Sequence, residues 1–262
     1  MANYYVQSKM SYTNNPKVSV VIPTYNRFDS LINTINSVKN QTYKNLEIIV
    51  INDCSSQKEY YNFDWTSIGV TVVHLPQNTK DLLGFPSTGY TINKGIDLLS
   101  GDYFTTCDDD DSWLPHKIEM QLEFMEKANC KMSCSEGFIG KGPYDSNKKY
   151  RKYNSEAFYS NLKNTYIERA NHLWSDGFPD IWTSDFLKIH NCIIACSVII
   201  HKDIINKIGK QLEVKMGGTF IDNKIVHIDY DYWLRALEYT DCVYVKEPCI
   251  FYDSGHGSGR LY

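Results

Sequence analysis

The segment "KVSVVIP" (Lys17 to Pro23) is apolar at almost every position, and a strand buries both of its faces in this way only inside a sheet that is covered on both sides. Pro23 is expected to end that strand, because proline has no N–H for a central ladder. After the turn "TYNR", Phe28, Leu31, Ile32, Ile35 and Val38 recur at helical spacing, with Asp29 placed to cap the helix start. "LEIIVIND" (Leu46 to Asp53), "GVTVVHL" (Gly69 to Leu75) and "GDYFTTCDDDD" (Gly101 to Asp111) read as further strands, and Ile92, Ile96 and Leu99 mark a helix before the last of them. Strands alternating with helices predict an α/β fold with a mostly parallel sheet flanked by helices.

The chain has 262 residues, 42% hydrophobic and 22% charged, enough to bury one large core or two small ones. A single domain over 1–262 with an elaborated C-terminal part fits best. Past a helix opened by Pro115, "GKGPYDSNKKYRKYNSE" is polar and Lys-rich and reads as a mobile surface segment. An aromatic-rich helix (Glu156 to Trp174), a strand "CIIACSVII" (Cys192 to Ile200), a short helix to Gly209 and the segment "GGTF" follow. A helix with Trp233, Leu234 and Leu237 on its apolar face precedes strand candidates at Cys242 to Val245 and Ile250 to Tyr252.

The net charge of −4 provides no basic field for non-specific nucleic-acid binding. The 8 cysteines lack the pairing and the His partners of a zinc site, so reduced, buried thiols are expected. No signal-peptide pattern opens the chain, and its apolar runs are too short to span a bilayer. The expectation is a soluble, cytoplasmic protein without a transmembrane segment.

Ligands of open α/β sheets bind beyond the carboxyl ends of the strands, and Tyr25, Asp53 and the run Asp108 to Asp111 all fall at such ends. Four adjacent carboxylates repel one another unless a cation or solvent takes up their charge. A solvated acidic turn and a cation site are both open; the position straight after a buried strand favours the site.

With these blocks the sequence resembles the family 2 type glycosyltransferases of GT-A fold. The resemblance rests on "VSVVIPTYNR", "EIIVINDCSS", "GDYFTTCDDDDSWLPHKIE", "DYDYWLR" and "FYDSGHGSG", and runs from about Lys17 to Ser258. It implies a Rossmann-like, mostly parallel sheet with a nucleotide-sugar-binding half (17–115) and an acceptor-side half (116–262). It also implies an inverting, metal-dependent transfer of a sugar from a nucleotide-diphosphate donor, a UDP-sugar favoured, to a hydroxyl of a glycan, glycoprotein or glycolipid.

In that family the Asp-x-Asp motif meets the donor and its cation; here it maps onto Asp108, Asp109 and Asp110. Asp110 is placed as the direct metal ligand, Asp108 on the ribose or a metal-bound water, and Trp113 as fixing the loop. Asp53 would accept a hydrogen bond from the base or ribose, over a floor shaped by Pro23, Tyr25 and Arg27, with Asn93 matching a further donor-side position. Asp229 matches the general base, which belongs on a different segment from the metal. His256 resembles a third metal ligand, and imidazole suits Mn²⁺ better than Mg²⁺.

Two positions depart from the pattern. Ile228 stands where a Glu commonly precedes the base, which leaves Asp231 as an alternative base. Ile92 replaces an Arg whose charge Lys80 or Lys94 would have to supply. These departures motivate an alternative, a glycan- or nucleotide-binding module that has lost turnover. A nucleotidyltransferase is disfavoured because its first loop would be Gly-rich, and "PTYNRFDS" has no Gly. The Tyr-rich stretch Tyr150 to Trp174 fits an acceptor cleft, the core or a self-association surface, which leaves a homo-oligomer open.

Overall fold

The computed structural model describes residues 15–174, 177–215, 219–221 and 224–256, and over 219–221 and 224–226 the backbone alone. Gly217 and Gly218 of "GGTF" and Ser258, where the family resemblance ends, lie outside the described residues. The strands are β1 (Val18–Thr24), β2 (Leu46–Asn52), β3 (Val70–His74), β4 (Tyr103–Thr106), β5 (Ser112–Trp113), β6 (Met132–Gly140), β7 (Arg151–Lys152), β8 (Ile181–Trp182), β9 (Ile199–His201), β10 (Thr219–Ile221), β11 (Lys224–Val226) and β12 (Cys242–Asp253). The helices are α1 (Phe28–Lys39), α2 (Glu59–Asn62), α3 (Thr79–Leu83), α4 (Thr88–Ile96), α5 (Lys117–Ala128), α6 (Tyr159–Ala170), α7 (Ser184–Ile189), α8 (Lys202–Ile208) and α9 (Ile228–Ala236).

Ten strands form one sheet in the order β3-β2-β1-β4-β9-β6-β12-β5, with β7 on β6 and β8 on β12. β3, β2, β1 and β4 are mutually parallel, and β12 is parallel to β6. β9 runs antiparallel to both β4 and β6, so β6 and β12 point the same way as β1. Their carboxyl ends therefore share one edge of the sheet. β10 and β11 make a separate antiparallel hairpin.

β1 is buried along its whole length because the sheet is covered on both faces. Val18, Val20 and Ile22 pack with Leu31 and Ile35 of α1 and Ile118 of α5, whereas Val21 packs on the opposite face with Ile92 of α4 and Phe104. The mostly parallel, helix-flanked sheet read from the sequence is the observed architecture.

Several local expectations change. Pro23 does not end β1, which runs on to Thr24. The Val21 carbonyl faces β4 and the Thr24 carbonyl faces β2, so the missing Pro23 N–H points toward β4, whose pairing with β1 has already stopped at Thr106. Asp29 lies within the first turn of α1 rather than at its cap, which is Arg27; the Phe28 N–H instead donates to Gln57 Oε1 at 3.0 Å.

"CIIACSVII" is a strand only from Ile199. Before that it is buried loop whose carbonyls are met by side chains: Asn154 Nδ2 donates to Cys192 O, Gln121 Nε2 to Ser197 O and Thr105 Oγ1 to Val198 O. The two C-terminal strand candidates are one strand, β12, which passes Pro248 through register shifts. Within the polar segment 140–156, Lys141, Pro143 and residues 146–149 are exposed, as a surface segment requires, while Tyr144 and Tyr150 are set against Phe251 at ring distances of 5.4 and 4.7 Å. All eight cysteines are free, six of them buried and Cys54 and Cys130 partly exposed. Among the described residues no helix is long and apolar enough to cross a membrane.

Candidate active site

The loops leaving β1 and β2 are locked to each other. Asn26 and Cys54 both turn through positive φ, at 51° and 56°. The Asn26 N–H donates to Ser55 Oγ at 2.9 Å, and its side-chain oxygen accepts from the Ser56 N–H at 2.8 Å. Tyr60 OH accepts from the Arg27 N–H at 3.0 Å. This aims the guanidinium at the acidic run after β4, where Arg27 Nη1 meets Asp109 Oδ1 at 2.9 Å and Asp110 Oδ2 at 3.1 Å.

The acidic run is not a solvated turn. Asp109 and Asp111 are buried, Thr34 of α1 donates to the Asp111 carbonyl at 2.7 Å, and the Asp253 N–H donates to Asp111 Oδ1 at 2.9 Å. Trp113 is buried and its backbone N–H donates to Ser37 Oγ at 3.0 Å, so this side of the loop is pinned from α1 as well. The Asp253 carboxylate in turn accepts from the N–H groups of Gly142 and Gly255 at 2.8 and 2.7 Å. These bonds hold the end of β12 against the end of β6 and deliver His256, at φ 52°, to within 3.9 Å of Asp110 Oδ2.

Burial and mutual repulsion leave these carboxyls short of positive charge. Asp108 is pushed up to about 7 by burial and then by Asp110, Asp109 and Asp229, with Arg27 opposing. Burial raises Asp109 to about 6 against the pull of Arg27. Asp110 is raised by burial with Arg27 and His256 opposing, and Asp111 is held well above the usual carboxylate range by burial, Asp108 and Asp110. One guanidinium does not balance such a group.

A cavity of about 410 Å³ opens over this edge, and its lining includes Pro23, Tyr25, Arg27, Asp53, Asp108, Asp109, Asp110, Asp229 and His256. The fold thus gathers residues from five separate segments of the chain. Asp53, buried and raised by its burial, accepts from the Thr79 N–H at 2.8 Å and the Thr79 hydroxyl at 2.6 Å.

Asn93 does not reach the cavity. Its side chain accepts from the Gln211 N–H at 2.8 Å and donates to the Gln211 carbonyl at 2.9 Å and to Glu213 at 3.0 Å. Asp231 pairs with Arg235 at 2.8 Å and is not part of the lining. Neither Lys80 nor Lys94 is part of it, and Lys94 sits over the Tyr90 ring. Arg27 supplies positive charge there instead. Sequence reasoning missed His227, Gln211 and Thr88 in the lining. His227 carried a signal, because it precedes the α9 start that also holds Asp229.

Among the described residues no three or more His, Cys, Asp or Glu side chains are grouped to hold a metal by themselves. The donor set nevertheless fits an open divalent site. Asp110 and His256 approach each other beside an under-neutralised acidic cluster, and a cation that keeps several positions for phosphate oxygens and water needs only one or two protein ligands.

The sequence model of glycosyl transferase family 2 matches residues 19–208. The chain is 28% identical over 244 residues to the uncharacterized glycosyltransferase RT0329 of Rickettsia typhi, covering 91% of this chain and 64% of that protein. It is 32% identical over 124 residues to TuaG of Bacillus subtilis, a putative teichuronic acid biosynthesis glycosyltransferase, covering 45% of each. Among solved structures, S. aureus TarS 1-349 superposes with a TM-score of 0.61 at 15% identity, covering 92% of this chain and 62% of that one. The mannosyltransferase PcManGT of Pyrobaculum calidifontis, solved with GDP-Man and Mn²⁺, gives 0.57 at 14%, covering 90% and 56%. At these identities the structures share a fold, and the chain spans less than two thirds of each of these four proteins.

Proposed function

Because this chain belongs to glycosyl transferase family 2 and has the GT-A arrangement of its solved neighbours, we propose that it is an inverting glycosyltransferase that moves a sugar from a nucleotide diphosphate, a UDP-sugar favoured, to an acceptor hydroxyl. The observation that carries this reading is the convergence of Asp53, Asp108 to Asp110, Asp229 and His256 on one cavity at the carboxyl edge of the sheet. In this reading residues 17–115 hold the donor and 116–262 form the acceptor side. TarS solved with UDP-GlcNAc supports the choice of nucleotide, and PcManGT solved with GDP-Man and Mn²⁺ supports the class of donor and cation.

Asp53 keeps lone pairs for a donor N–H of the base beyond those that Thr79 occupies. Tyr25 and Pro23 shape the floor, and Asp108 and Asp109 face the ribose and diphosphate. Asp110 and His256 would hold Mn²⁺ or Mg²⁺, which supplies Lewis-acid neutralisation of the diphosphate when bound. Asp229 removes the proton from the acceptor hydroxyl as that oxygen attacks the anomeric carbon opposite the departing diphosphate.

The test is release of nucleoside diphosphate from a panel of UDP-, GDP-, CDP- and dTDP-sugars, with and without Mn²⁺, together with thermal shifts for each donor. Donor-selective, cation-dependent release that is lost in Asp110→Ala is the expected outcome. Binding without release from any donor would make the chain a module that has lost turnover.

A further inference from the structure

The nucleotide side of the cavity lies toward β2, where Asp53 sits; on the other side of the acidic cluster the sheet continues to β6 and β12. There the chain makes an unusual turn. Directly after β7, residues Tyr153–Ala157 form a single π-helical turn, closed by the Phe158 N–H donating to the Tyr153 carbonyl at 3.0 Å. Such turns are rare and recur at functional sites.

The turn is fixed from below by Glu136, which is fully buried. Its carboxylate accepts from the N–H groups of Asn154 and Ser155 at 2.9 and 2.8 Å, from its neighbour Gly137 N–H at 2.9 Å and from the Tyr244 hydroxyl at 3.1 Å. A buried carboxylate with four donors is a rigid anchor.

What the anchor presents is a strip of rings. Tyr153 meets Tyr252 edge-on at 5.5 Å, and Tyr252 meets His256 edge-on at 5.9 Å. On its outer side Tyr153 packs against Phe158 at 4.7 Å, and Phe158 is 38% exposed. The strip runs from the surface to the imidazole beside Asp110. The Tyr153 hydroxyl lies in the field of Asp111 and Asp229, and burial together with those charges pushes it up, so that it stays a hydrogen-bond donor.

Resting on the reading of the chain as a glycosyltransferase, we propose that Tyr153, Tyr252 and Phe158 form an acceptor subsite that seats a pyranose ring beside the reacting centre. A pyranose offers one face of C–H groups, which packs on aromatic rings, and a rim of hydroxyls, which the two phenols can bond. A lipid tail would need a contiguous apolar face. Two of the three rings carry hydroxyls, and Arg151 and Glu156 stand exposed beside them.

Saturation-transfer NMR on the full chain, with UDP and Mg²⁺ present and methyl pyranosides of gluco, galacto, manno and N-acetylglucosamine configuration as probes, tests this. Saturation is expected to concentrate on one ring face of at least one pyranoside. Its dissociation constant should rise about tenfold or more in Tyr153→Ala and in Phe158→Ala, while UDP affinity moves less than about twofold. Phe158 is exposed, so its variant tests the subsite without a folding defect. Pyranoside binding at wild-type strength in both variants overturns the subsite, as does a protein that binds UDP but no pyranoside. A protein that binds neither UDP nor any other nucleoside diphosphate fails at the donor reading instead, and the subsite falls with it.

Discussion

Asp229 and Asp231 stand two positions apart in the first turn of α9, and the helix sends them to different work. Asp231 is spent on Arg235, whereas Asp229 faces the cavity. Asp229→Asn is expected to lower kcat by about 10²- to 10⁴-fold, the range of a general base, with donor affinity little changed. Steady-state rates alongside calorimetric donor titration check it, and normal turnover would place the base elsewhere. Asp108 and Asp109 carry a different consequence. Their folded-state values of about 7 and about 6 lie above those of the unfolded chain, so the native state holds protons that the unfolded state releases as pH rises through this window. Cation-free protein is therefore expected to melt lower at about pH 8 than at about pH 5, with Mn²⁺ raising the midpoint more at the higher pH. An equal Mn²⁺ effect at both would show that the cation does not compete with the protons on these carboxyls. Lys117 reverses the sign. It is fully buried, with its ammonium over the Trp113 ring at 4.3 Å, no hydrogen-bond partner among the described residues, and its value pushed down to about 8 by burial. That destabilises the native state below about pH 8, and Lys117→Met should add roughly 1–3 kcal/mol in urea unfolding at neutral pH, a gain that shrinks toward about pH 10.

At the scale of elements, α4 shows how a motif can be matched and its purpose misread. In "TINKG" the Asn and Gly are both structural in placement. A Cβ on Gly95 would fall inside the contact shell of Val21, so α4 could not lie this close to β1. Asn93 clamps the chain at Gln211. One turn earlier, a Cβ on Gly89 would run into the Leu212 carbonyl, which is backbone and cannot swing aside. Gly89→Ala should therefore displace the 211–213 segment and with it the Gln211 wall of the cavity. Donor affinity should fall about tenfold, with a stability loss of roughly 1–3 kcal/mol from overpacking, measured by donor titration and denaturant melts. The same limit on sequence reading applies to Glu136 and Lys117. Glu136 is satisfied by Asn154 and Ser155 of the π-turn and by the distant Tyr244, and Lys117 lies over the Trp113 ring in a buried cage; no residue type or spacing around either one announces its burial. The strands of the first half were legible because β-branched runs doubly buried in a parallel sheet leave an unbroken apolar trace. "CIIACSVII" left the same trace while being buried loop up to Val198, because the polar groups that satisfy it come from α5, β4 and the π-turn.

On the scale of the whole molecule, the carboxyl edge was the most legible property. It depends only on strand direction in the first half, and that follows from the alternation of strand and helix. The second half was not legible in the same way. Inserting β9 antiparallel between β4 and β6 is a non-local pairing, and β12 hides its continuity behind Lys246 and Glu247, which are exposed where the register slips. Yet this half returns the end of β12 to the acidic cluster through Asp253 and His256, so the site needs strands from both halves of the sheet to be assembled.

The thiol inventory gives this geometry an experimental handle. Cys54 follows Asp53 at the rim of the cavity, and Cys130 lies just before β6 at the opposite edge of the sheet; the other six thiols are buried. Burial pushes the Cys130 thiol up to about 11, which leaves little thiolate near neutrality. A limiting amount of maleimide dye should therefore label Cys54 first, as peptide mapping would show. The natural sequence thus offers a single-site reporter beside the cavity without any engineered cysteine, and a distant second thiol to serve as its control.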